Sequence, residues 1–217
     1  MIDLITLTDA QSPKAEAYRS LRTNLDFYSL ENPLHTLLIT SAEPEDDKTT
    51  VLANLGVISA QGGKRVILVD ADLRRPRLHE VFGMSNDQGL STALISEQAQ
   101  LPVFATDVPG LSIVPAGPTP TNPADLLASA RMDAIIAQLK EQADVVLFDA
   151  APLIAVTDGA LLATKVDGVL LVARAGHTKR EFVERAKDVL AKVKANLVGS
   201  VLTNAALDTG VYNYYGN

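Results

Sequence analysis

The 217-residue sequence contains no cysteine and no tryptophan, and aromatic residues make up 5% of it. Without cysteine the chain forms neither disulfides nor thiolate metal sites, which fits a reducing compartment. The scarcity of aromatic side chains argues against a surface on which nucleic-acid bases stack. A formal net charge of −7 also argues against a general nucleic-acid binder, because such a protein needs a basic face.

Long apolar runs are also missing. No stretch of about 18 apolar residues occurs, so the sequence predicts no membrane span. The first residues, Met1 to Leu4, contain neither a basic start nor an apolar core and predict no signal peptide. The composition, 47% hydrophobic and 21% charged, is that of an ordinary globular protein, and the length fits one domain.

Apolar segments alternate with helical ones along the chain, which is typical of a parallel sheet covered by helices on both faces. The predicted strands are Leu37–Ser41, Val66–Asp70, Leu111–Pro115, Val145–Asp149, Val169–Ala173 and Leu197–Thr203. The predicted helices are Pro13–Ser29, Lys48–Gln61, Asp125–Gln142, Thr157–Lys165 and Lys179–Lys194. The sequence thus predicts the α/β class with a mostly parallel central sheet.

The segment between the first predicted strand and the next helix is spaced like a phosphate-binding loop, yet it contains no glycine. The motif for such a loop is Gly-x-x-x-x-Gly-Lys-[Ser/Thr], in which backbone N–H groups surround the phosphates. Lys48 and Thr49 match its last two positions, whereas Ala42 and Asp47 occupy the glycine positions. Thr50 follows at the helix N-terminus, where the helix dipole favours an anion. The loop is therefore altered where backbone and phosphate approach most closely.

Carboxylates stand at the ends of two further predicted strands. Asp70 and Asp72 come at the end of the second strand, and Asp149 ends the fourth. Ligands of open parallel sheets bind beyond the carboxyl ends of the strands, so we expect these acids to face Lys48. Phosphoryl transfer needs such a set, because cations hold the phosphates, carboxylates hold Mg²⁺ and a base orients the acceptor hydroxyl. The pattern predicts a nucleotide site.

With these motifs the sequence resembles the bacterial tyrosine kinases of capsule and exopolysaccharide synthesis, within the MinD-like P-loop ATPases. The loop of that family, roughly Ser-Ala-x-Pro-x-Glu-Gly-Lys-[Ser/Thr], is matched by Ser41, Ala42, Pro44, Lys48 and Thr49. Its motif Val-Asp-Ala-Asp-Leu-Arg-Arg-Pro is matched without a gap from Val69 to Pro76. Its apolar-apolar-Asp-x-x-Pro motif is matched by Leu147, Phe148, Asp149 and Pro152.

The resemblance implies a site for ATP and Mg²⁺ and a role for each residue in it. It implies that Lys48 binds the β- and γ-phosphates and that Asp70 accepts the proton of the substrate tyrosine. The Mg²⁺ ligands that it implies are Thr49, Asp72 and Asp149. The other residues implied to contact the nucleotide are Asp46, Asp47, Thr50, Arg174 and Asn204, the last two near the adenine.

Two further features of the family lie outside this site. Glu16, Arg19 and Arg22 match Glu-x-x-Arg-x-x-Arg, which in the family packs one subunit of a ring against the next. Their spacing puts them on one side of a helix, and a solvated face with an intrahelical Glu–Arg pair is the plainer interpretation. The tail contains Tyr212, Tyr214 and Tyr215, which resemble the family's phosphorylated tyrosine cluster.

The resemblance implies one kinase domain over residues 1–204, with an interface helix at about 13–29 and a flexible tyrosine-containing tail over 205–217. It implies a cytoplasmic autokinase that transfers the γ-phosphate of ATP to the tail of a neighbouring subunit. Such kinases regulate the chain length and export of the polysaccharide. They act at the inner face of the plasma membrane with a membrane-bound copolymerase or activator protein.

Asp47 leaves two interpretations open, a tolerated substitution in a working site or a carboxylate that impairs ATP binding. A carboxylate about 4 Å from a phosphate is repelled by ~1 kcal/mol in water and ~4 kcal/mol at an effective dielectric constant of ~20. The affinity for ATP would then fall by roughly 5- to 1,000-fold. Asp47 can instead turn to solvent, bind Mg²⁺, or pair with Arg74 or Arg75.

The sequence leaves two alternative functions open. One is a catalytically silent scaffold of the same system and the other, more distant, is a MinD/ParA-type partitioning ATPase.

Overall fold

The structure of the chain is a computed structural model that describes residues 4–96 and 98–206. Its strands are β1 (Thr36–Ser41), β2 (Val66–Asp70), β3 (Phe104–Ala105), β4 (Leu111–Val114), β5 (Val145–Asp149), β6 (Gly168–Arg174) and β7 (Leu197–Thr203). They form one seven-stranded sheet in the order β3-β4-β2-β5-β1-β6-β7. All neighbouring strands of this sheet are parallel except β3 and β4, which confirms the predicted fold class.

Helices cover both faces of the sheet. They are α1 (Ile5–Thr8), α2 (Pro13–Glu31), α3 (Lys48–Gln61), α4 (Leu78–Val81), α5 (Leu90–Ile95), α6 (Pro123–Ala128), α7 (Ala130–Gln142), α8 (Asp158–Ala163) and α9 (Arg180–Lys192). One apolar cluster joins the sheet to α2, α3 and α4, and a second joins the opposite face to α5 through α9. Among the described helices, none has both the length and the apolarity that crossing a bilayer requires.

The sequence predicts the long elements well and misses several of the short ones. The bounds of β2, β5, β7 and α3 are those predicted. The predicted single helix Asp125–Gln142 is wrong, because the backbone at Ser129 is extended and its hydroxyl accepts a hydrogen bond from Met132 N at the start of α7. The helices α1, α4 and α5 and the strand β3 were not predicted, since elements of two to six residues carry little periodic signal.

The α3 helix is buried on nearly all sides and is anchored to the N-terminal segment. Thr6 on α1 donates its hydroxyl to Asn54 Oδ1 at 2.8 Å, and its backbone N–H donates to the same atom at 3.1 Å. Asn54 in turn donates to Thr50 O at 2.9 Å, and both Thr6 and Asn54 are fully buried. Buried polar groups paired in this way fix a helix in one position, because every alternative leaves them without partners.

The strand order brings the predicted functional residues to one edge of the sheet. The strand β5 lies between β1 and β2, so that Asp149 is level with Ile39 on one side and with Asp70 on the other. The phosphate-loop segment follows β1 directly and leads into α3. Three neighbouring strands thus end side by side below the N-terminus of α3.

A close backbone contact fixes the segment that follows β4. Leu90 N donates to Pro115 O and Ser91 N donates to Ala116 O, both at 2.8 Å. A Cβ atom on Gly89 would lie 2.1 Å from Pro115 O and 2.3 Å from Gly117 N. The approach of α5 to this strand end therefore needs a residue without a side chain at position 89.

Replacing this glycine is expected to destabilise the fold. Gly89→Ala should lower the free energy of unfolding by about 2 kcal/mol or more, because the added methyl meets backbone atoms that no rotamer change can move. Gly199→Ala is a matched control, since a Cβ there meets nothing nearer than Leu170 Cδ1 at 3.8 Å. Urea unfolding followed by circular dichroism measures both variants. Equal unfolding midpoints for the two would contradict the predicted clash.

Candidate functional site

Lys48 at the start of α3 lies between carboxylates at the carboxyl ends of β2 and β5. Its Nζ is 3.0 Å from Asp72 Oδ2 and 3.2 Å from Asp149 Oδ1. Thr49 donates its hydroxyl to Asp149 Oδ2 at 2.5 Å. The structure thus brings these side chains together as the sequence predicts, while the roles assigned to them stay predictions.

These charges lie almost entirely out of solvent. The side chains of Lys48, Asp72 and Asp149 are 13%, 5% and 1% exposed. Burial lowers the pKa of Lys48, but the carboxylates of Asp149 and Asp72 together outweigh burial and raise that pKa above its usual value. Burial raises the pKa of Asp149, against the opposing effects of Lys48 and the Thr49 hydroxyl. The ammonium group is therefore held charged by the two carboxylates that flank it.

Asp70 is the most enclosed carboxylate of the cluster. Its Oδ2 accepts hydrogen bonds from Arg77 N at 3.0 Å and Leu78 N at 2.9 Å, and its Oδ1 is buried without a hydrogen-bond partner among the described residues. Burial, followed by the charge of Asp149, raises the pKa of Asp70 to about 8. The Asp70 side chain thus anchors the start of α4, and its role as acceptor of the tyrosine proton stays a prediction.

Two residues of the glycine-free loop adopt backbone conformations that favour glycine. Glu45 has φ 68° and Asp47 has φ 64°, both in the left-handed region. Residues other than glycine are strained there by roughly 1–2 kcal/mol, and Asp is among those that tolerate it best. Asp47 therefore adopts the conformation that glycine allows at this position in the motif, although it carries a side chain.

The carboxylate of Asp47 turns toward β6 and β7. Its Oδ2 lies 3.6 Å from Arg174 Nε and accepts a hydrogen bond from Thr203 Oγ1 at 3.3 Å. It makes no hydrogen bond to the N–H groups in the first turn of α3, which stay uncovered by this side chain. The charge of Asp47 also reaches Tyr18 on α2, where burial and then Asp47 raise the pKa to about 12.

The ion-pair partner of Asp47 is neither of the two arginines expected from the sequence, although the side chain is 40% exposed to solvent. Arg74 is not available to it, because this guanidinium donates to both carboxylate oxygens of the buried Asp158, at 2.8 Å and 3.0 Å. Arg174 was expected near an adenine, but its Nη1 donates to Glu45 O at 3.3 Å and its Nε faces Asp47. The ion pair of Asp47 is therefore with Arg174 and not with Arg74 or Arg75.

Two other residues expected to contact the nucleotide are engaged within the protein. The Asp46 carboxylate is buried, accepting from Glu43 N at 2.9 Å and from the hydroxyl of Thr178. Asn204 donates to Ala175 O at 3.2 Å. Thr178 was missed by the sequence analysis, since a threonine before a helix carries no signal of its own. The side chain of Asp46 therefore holds the loop together.

The oxygen donors in the cluster suit Mg²⁺. The hydroxyl of Thr49 and the carboxylates of Asp72 and Asp149 are hard ligands of the kind that Mg²⁺ prefers. The buried Asp149 Oδ1 has the Lys48 ammonium 3.2 Å away as its charged neighbour, and it could take a metal ion once that ammonium moves. The described residues contain no ready-made cluster of three or more His, Cys, Asp or Glu side chains for a metal. An ion that arrives with phosphate oxygens and water needs only one or two carboxylates, so the donor set fits it.

The predicted interface residues make contacts within the chain. Glu16 pairs with Arg19 at 2.8 Å, one turn along α2, and Arg19 also donates to Ala10 O. Arg22 donates to Ile58 O at 3.1 Å, near the end of α3. The intrahelical Glu–Arg pair is thus observed for Glu16 and Arg19, and an interface role for the three residues stays a prediction. The tail tyrosines, Tyr212, Tyr214 and Tyr215, lie outside the described residues.

Asp70 is expected to make stability fall as pH rises. Its pKa is about 8 in the folded state and near 3.8 when exposed, so the folded state binds one more proton between these values. One such group lowers the free energy of unfolding by up to ~1.4 kcal/mol for each pH unit in this window. Asp70→Asn removes the titration and should flatten the decline between about pH 5 and about pH 8. Urea unfolding at about pH 5 and about pH 8 measures this decline, and Asp133→Asn, at an exposed position, is the control. An unchanged pH dependence of stability in Asp70→Asn would refute the raised pKa of Asp70.

Comparison with known sequences identifies the family. Residues 38–210 match the family described as "CobQ/CobB/MinD/ParA nucleotide binding domain". The chain is 38% identical to the tyrosine-protein kinase YwqD of Bacillus subtilis (strain 168), over 99% of this chain and 91% of that protein. It is 34% identical to the putative tyrosine-protein kinase CapB of Staphylococcus aureus, over 95% of this chain and 92% of that one. It also spans 28% of the length of the tyrosine-protein kinase etk of Escherichia coli (strain K12).

Solved structures agree with this assignment. The kinase domain of Escherichia coli tyrosine kinase ETK has a TM-score of 0.88 at 32% identity, with 95% of this chain and 83% of that chain covered. The chimerical protein CapA2B2 also has a TM-score of 0.88, at 30% identity, with 92% and 88% covered. The cell division ATPase MinD of Pyrococcus furiosus, 24% identical with a TM-score of 0.64 over 77% of this chain and 71% of that one, shares the fold. The chain therefore belongs to the bacterial tyrosine-protein kinases, and it carries a phosphate loop in which neither glycine position holds glycine.

Proposed function

We propose that this chain is a protein-tyrosine autokinase domain of an exopolysaccharide or capsule system, with nucleotide binding that Asp47 weakens. The observation that carries the proposal is the buried contact of Lys48 with Asp72 and Asp149, together with the Thr49–Asp149 hydrogen bond. A lysine, a hydroxyl and two carboxylates at the N-terminus of a helix are the parts that phosphoryl transfer uses. Sequence relatives named as tyrosine-protein kinases support the same chemistry.

The residues of the cluster would divide the work of binding Mg-ATP. Mg²⁺ supplies neutralisation of the charge that develops on the phosphates. Thr49, Asp72 and Asp149 would hold the metal, and Lys48 would move its ammonium from the carboxylates to the β- and γ-phosphates. The uncovered N–H groups of the first turn of α3, Thr50 among them, would bind phosphate oxygens at the positive end of the helix dipole.

The transfer step needs an acceptor hydroxyl and a base. The tyrosine oxygen attacks the γ-phosphorus, the bond from that phosphorus to the bridging oxygen of ADP breaks, and the tyrosine proton leaves to a carboxylate. Asp70 would take this proton, since its Oδ1 has no hydrogen-bond partner among the described residues and it is not one of the proposed metal ligands. We propose Tyr212, Tyr214 and Tyr215 of a neighbouring copy as acceptors, as the resemblance to the family implies.

Assembly and location follow from the same proposal. Glu16 is 57% exposed on its side chain and Arg19 is 35% exposed, so a second copy can replace their intrahelical pair with contacts between subunits. A membrane-bound activator of the polysaccharide system would hold the ring at the inner face of the plasma membrane. This placement is proposed from the resemblance to the family.

The loss of ATP affinity that Asp47 causes is expected to lie at the lower end of the range of roughly 5- to 1,000-fold derived from the sequence. The side chains of Asp47 and Arg174 are 40% and 37% exposed, so water screens their charges. Repulsion of a phosphate is then nearer ~1 kcal/mol than ~4 kcal/mol. We expect the affinity for ATP to be reduced roughly 5- to 10-fold relative to a loop with glycine at this position.

A catalytically silent scaffold is the second candidate function. The observation in its favour is that Lys48 is already paired with two carboxylates, while the loop beside it contains an extra acid. A protein with this site can keep the fold and the ring interface without turnover.

An autophosphorylation assay separates the two functions. The purified full chain incubated with Mg-ATP should give an anti-phosphotyrosine signal that disappears in Lys48→Met, because the β- and γ-phosphates lose their cation. Lys192→Met, an exposed lysine on α9, is the matched control and should keep the signal. If neither the wild-type chain nor Asp47→Gly gives a signal, the kinase proposal is refuted and the scaffold is supported.

Calorimetric titration with Mg-ATP tests the effect of Asp47 on binding. Asp47→Gly should tighten binding roughly 5- to 10-fold, since both the charge and the side-chain bulk are removed. Asp47→Asn keeps the size of the side chain and removes only the charge, so it should recover most of the gain if repulsion dominates. Micromolar binding by the wild-type chain that Asp47→Gly fails to strengthen would show that the substitution is tolerated.

A further inference from the structure

The segment between β6 and α9 contacts three consecutive residues of the phosphate loop. Arg174 Nη1 donates to Glu45 O at 3.3 Å, and Arg174 Nε lies 3.6 Å from Asp47 Oδ2. Thr178 donates its hydroxyl to Asp46 Oδ1. These contacts join a loop that follows β1 to a segment more than a hundred residues later in the chain.

The two residues of this segment also support each other. The hydroxyl of Thr178 accepts a hydrogen bond from Arg174 N at 2.7 Å while it donates to Asp46. Asp46 is 1% exposed and uses its second carboxylate oxygen to accept from Glu43 N at 2.9 Å. A buried carboxylate that loses one of two donors is destabilised, so the Thr178 hydroxyl bears on the whole loop.

A loop without glycine needs such support more than a glycine-containing one. Glu45 and Asp47 both have positive φ, a conformation that persists only where surrounding contacts hold it. Arg174 contacts both of these residues, the first through its carbonyl oxygen and the second through its carboxylate. The strained positions are therefore the ones that this guanidinium contacts.

The geometry points to Arg174 and Thr178 as positioning residues that hold the glycine-free loop in its binding shape, with Arg174 also offsetting the Asp47 charge beside the phosphates. This inference deepens the proposed nucleotide site and rests on it. It gives Arg174 a different role from the contact with adenine that the family resemblance implied. The ligand remains the phosphate end of a nucleotide, and the two residues act on it through the loop.

A double-mutant cycle with Mg-ADP tests the part played by Arg174. In the wild-type background Arg174→Gln should weaken binding by about 5-fold, because Asp47 loses its counter-charge. In the Asp47→Gly background the same change should weaken binding by less than about 2-fold. Equal losses in both backgrounds would overturn the part of the inference in which Arg174 offsets the Asp47 charge, because the contact with Glu45 O is present in both.

Two further variants sharpen this cycle. Arg174→Lys keeps the positive charge and should restore most of the binding lost in Arg174→Gln. Arg180→Gln removes an arginine that is 92% exposed on α9 and paired with Glu184, and it should leave the affinity unchanged. A loss in Arg180→Gln as large as that in Arg174→Gln would count against a specific role for Arg174.

Hydrogen exchange in the nucleotide-free protein provides a readout that does not depend on binding. The amides of Glu43 and of residues 45–48 should exchange at least about tenfold faster in Arg174→Gln and in Thr178→Val than in the wild-type chain or Arg180→Gln. Unchanged exchange in both variants would refute the positioning role. If no variant binds Mg-ADP while exchange accelerates as expected, the proposed nucleotide function fails and the positioning role stands.

Discussion

The site depends on one buried arrangement, the ammonium group of Lys48 between Asp72 and Asp149. Taking three charges out of water is unfavourable unless they pair, and removing one partner leaves the others uncompensated. The two carboxylates outnumber the one ammonium group, which favours arrival of a further cation. Burial is the main cause that raises the pKa of both Asp70 and Asp149.

The fold maintains this arrangement through the order of its strands and the anchoring of α3. Because β5 lies between β1 and β2, the residues after three strands meet at a single edge. The buried Thr6–Asn54 hydrogen bonds anchor the α3 helix to α1, five residues after Thr49. Lys48 and Thr49 are therefore held both by the buried carboxylates and by the anchored helix.

The loop shows that glycine serves two separable purposes in a phosphate-binding motif. One is backbone conformation, which Asp47 reproduces at φ 64° at some energetic expense. The other is the absence of a side chain near the phosphate, which Asp47 meets only in part, by turning its carboxylate toward Arg174 and Thr203. The tertiary structure supplies from β6 and β7 a compensation that the motif itself cannot contain.

The sequence by itself determined the α/β class, the bounds of the long buried elements and the set of residues at the carboxyl ends of β1, β2 and β5. Those features follow from local periodicity and from motifs of adjacent residues. Only the tertiary structure decided that Asp47 pairs with Arg174, that Asp70 is enclosed and that Thr178 holds Asp46. These outcomes depend on which side chains from distant segments come within a few ångströms of each other. The local sequence around a residue does not specify those contacts.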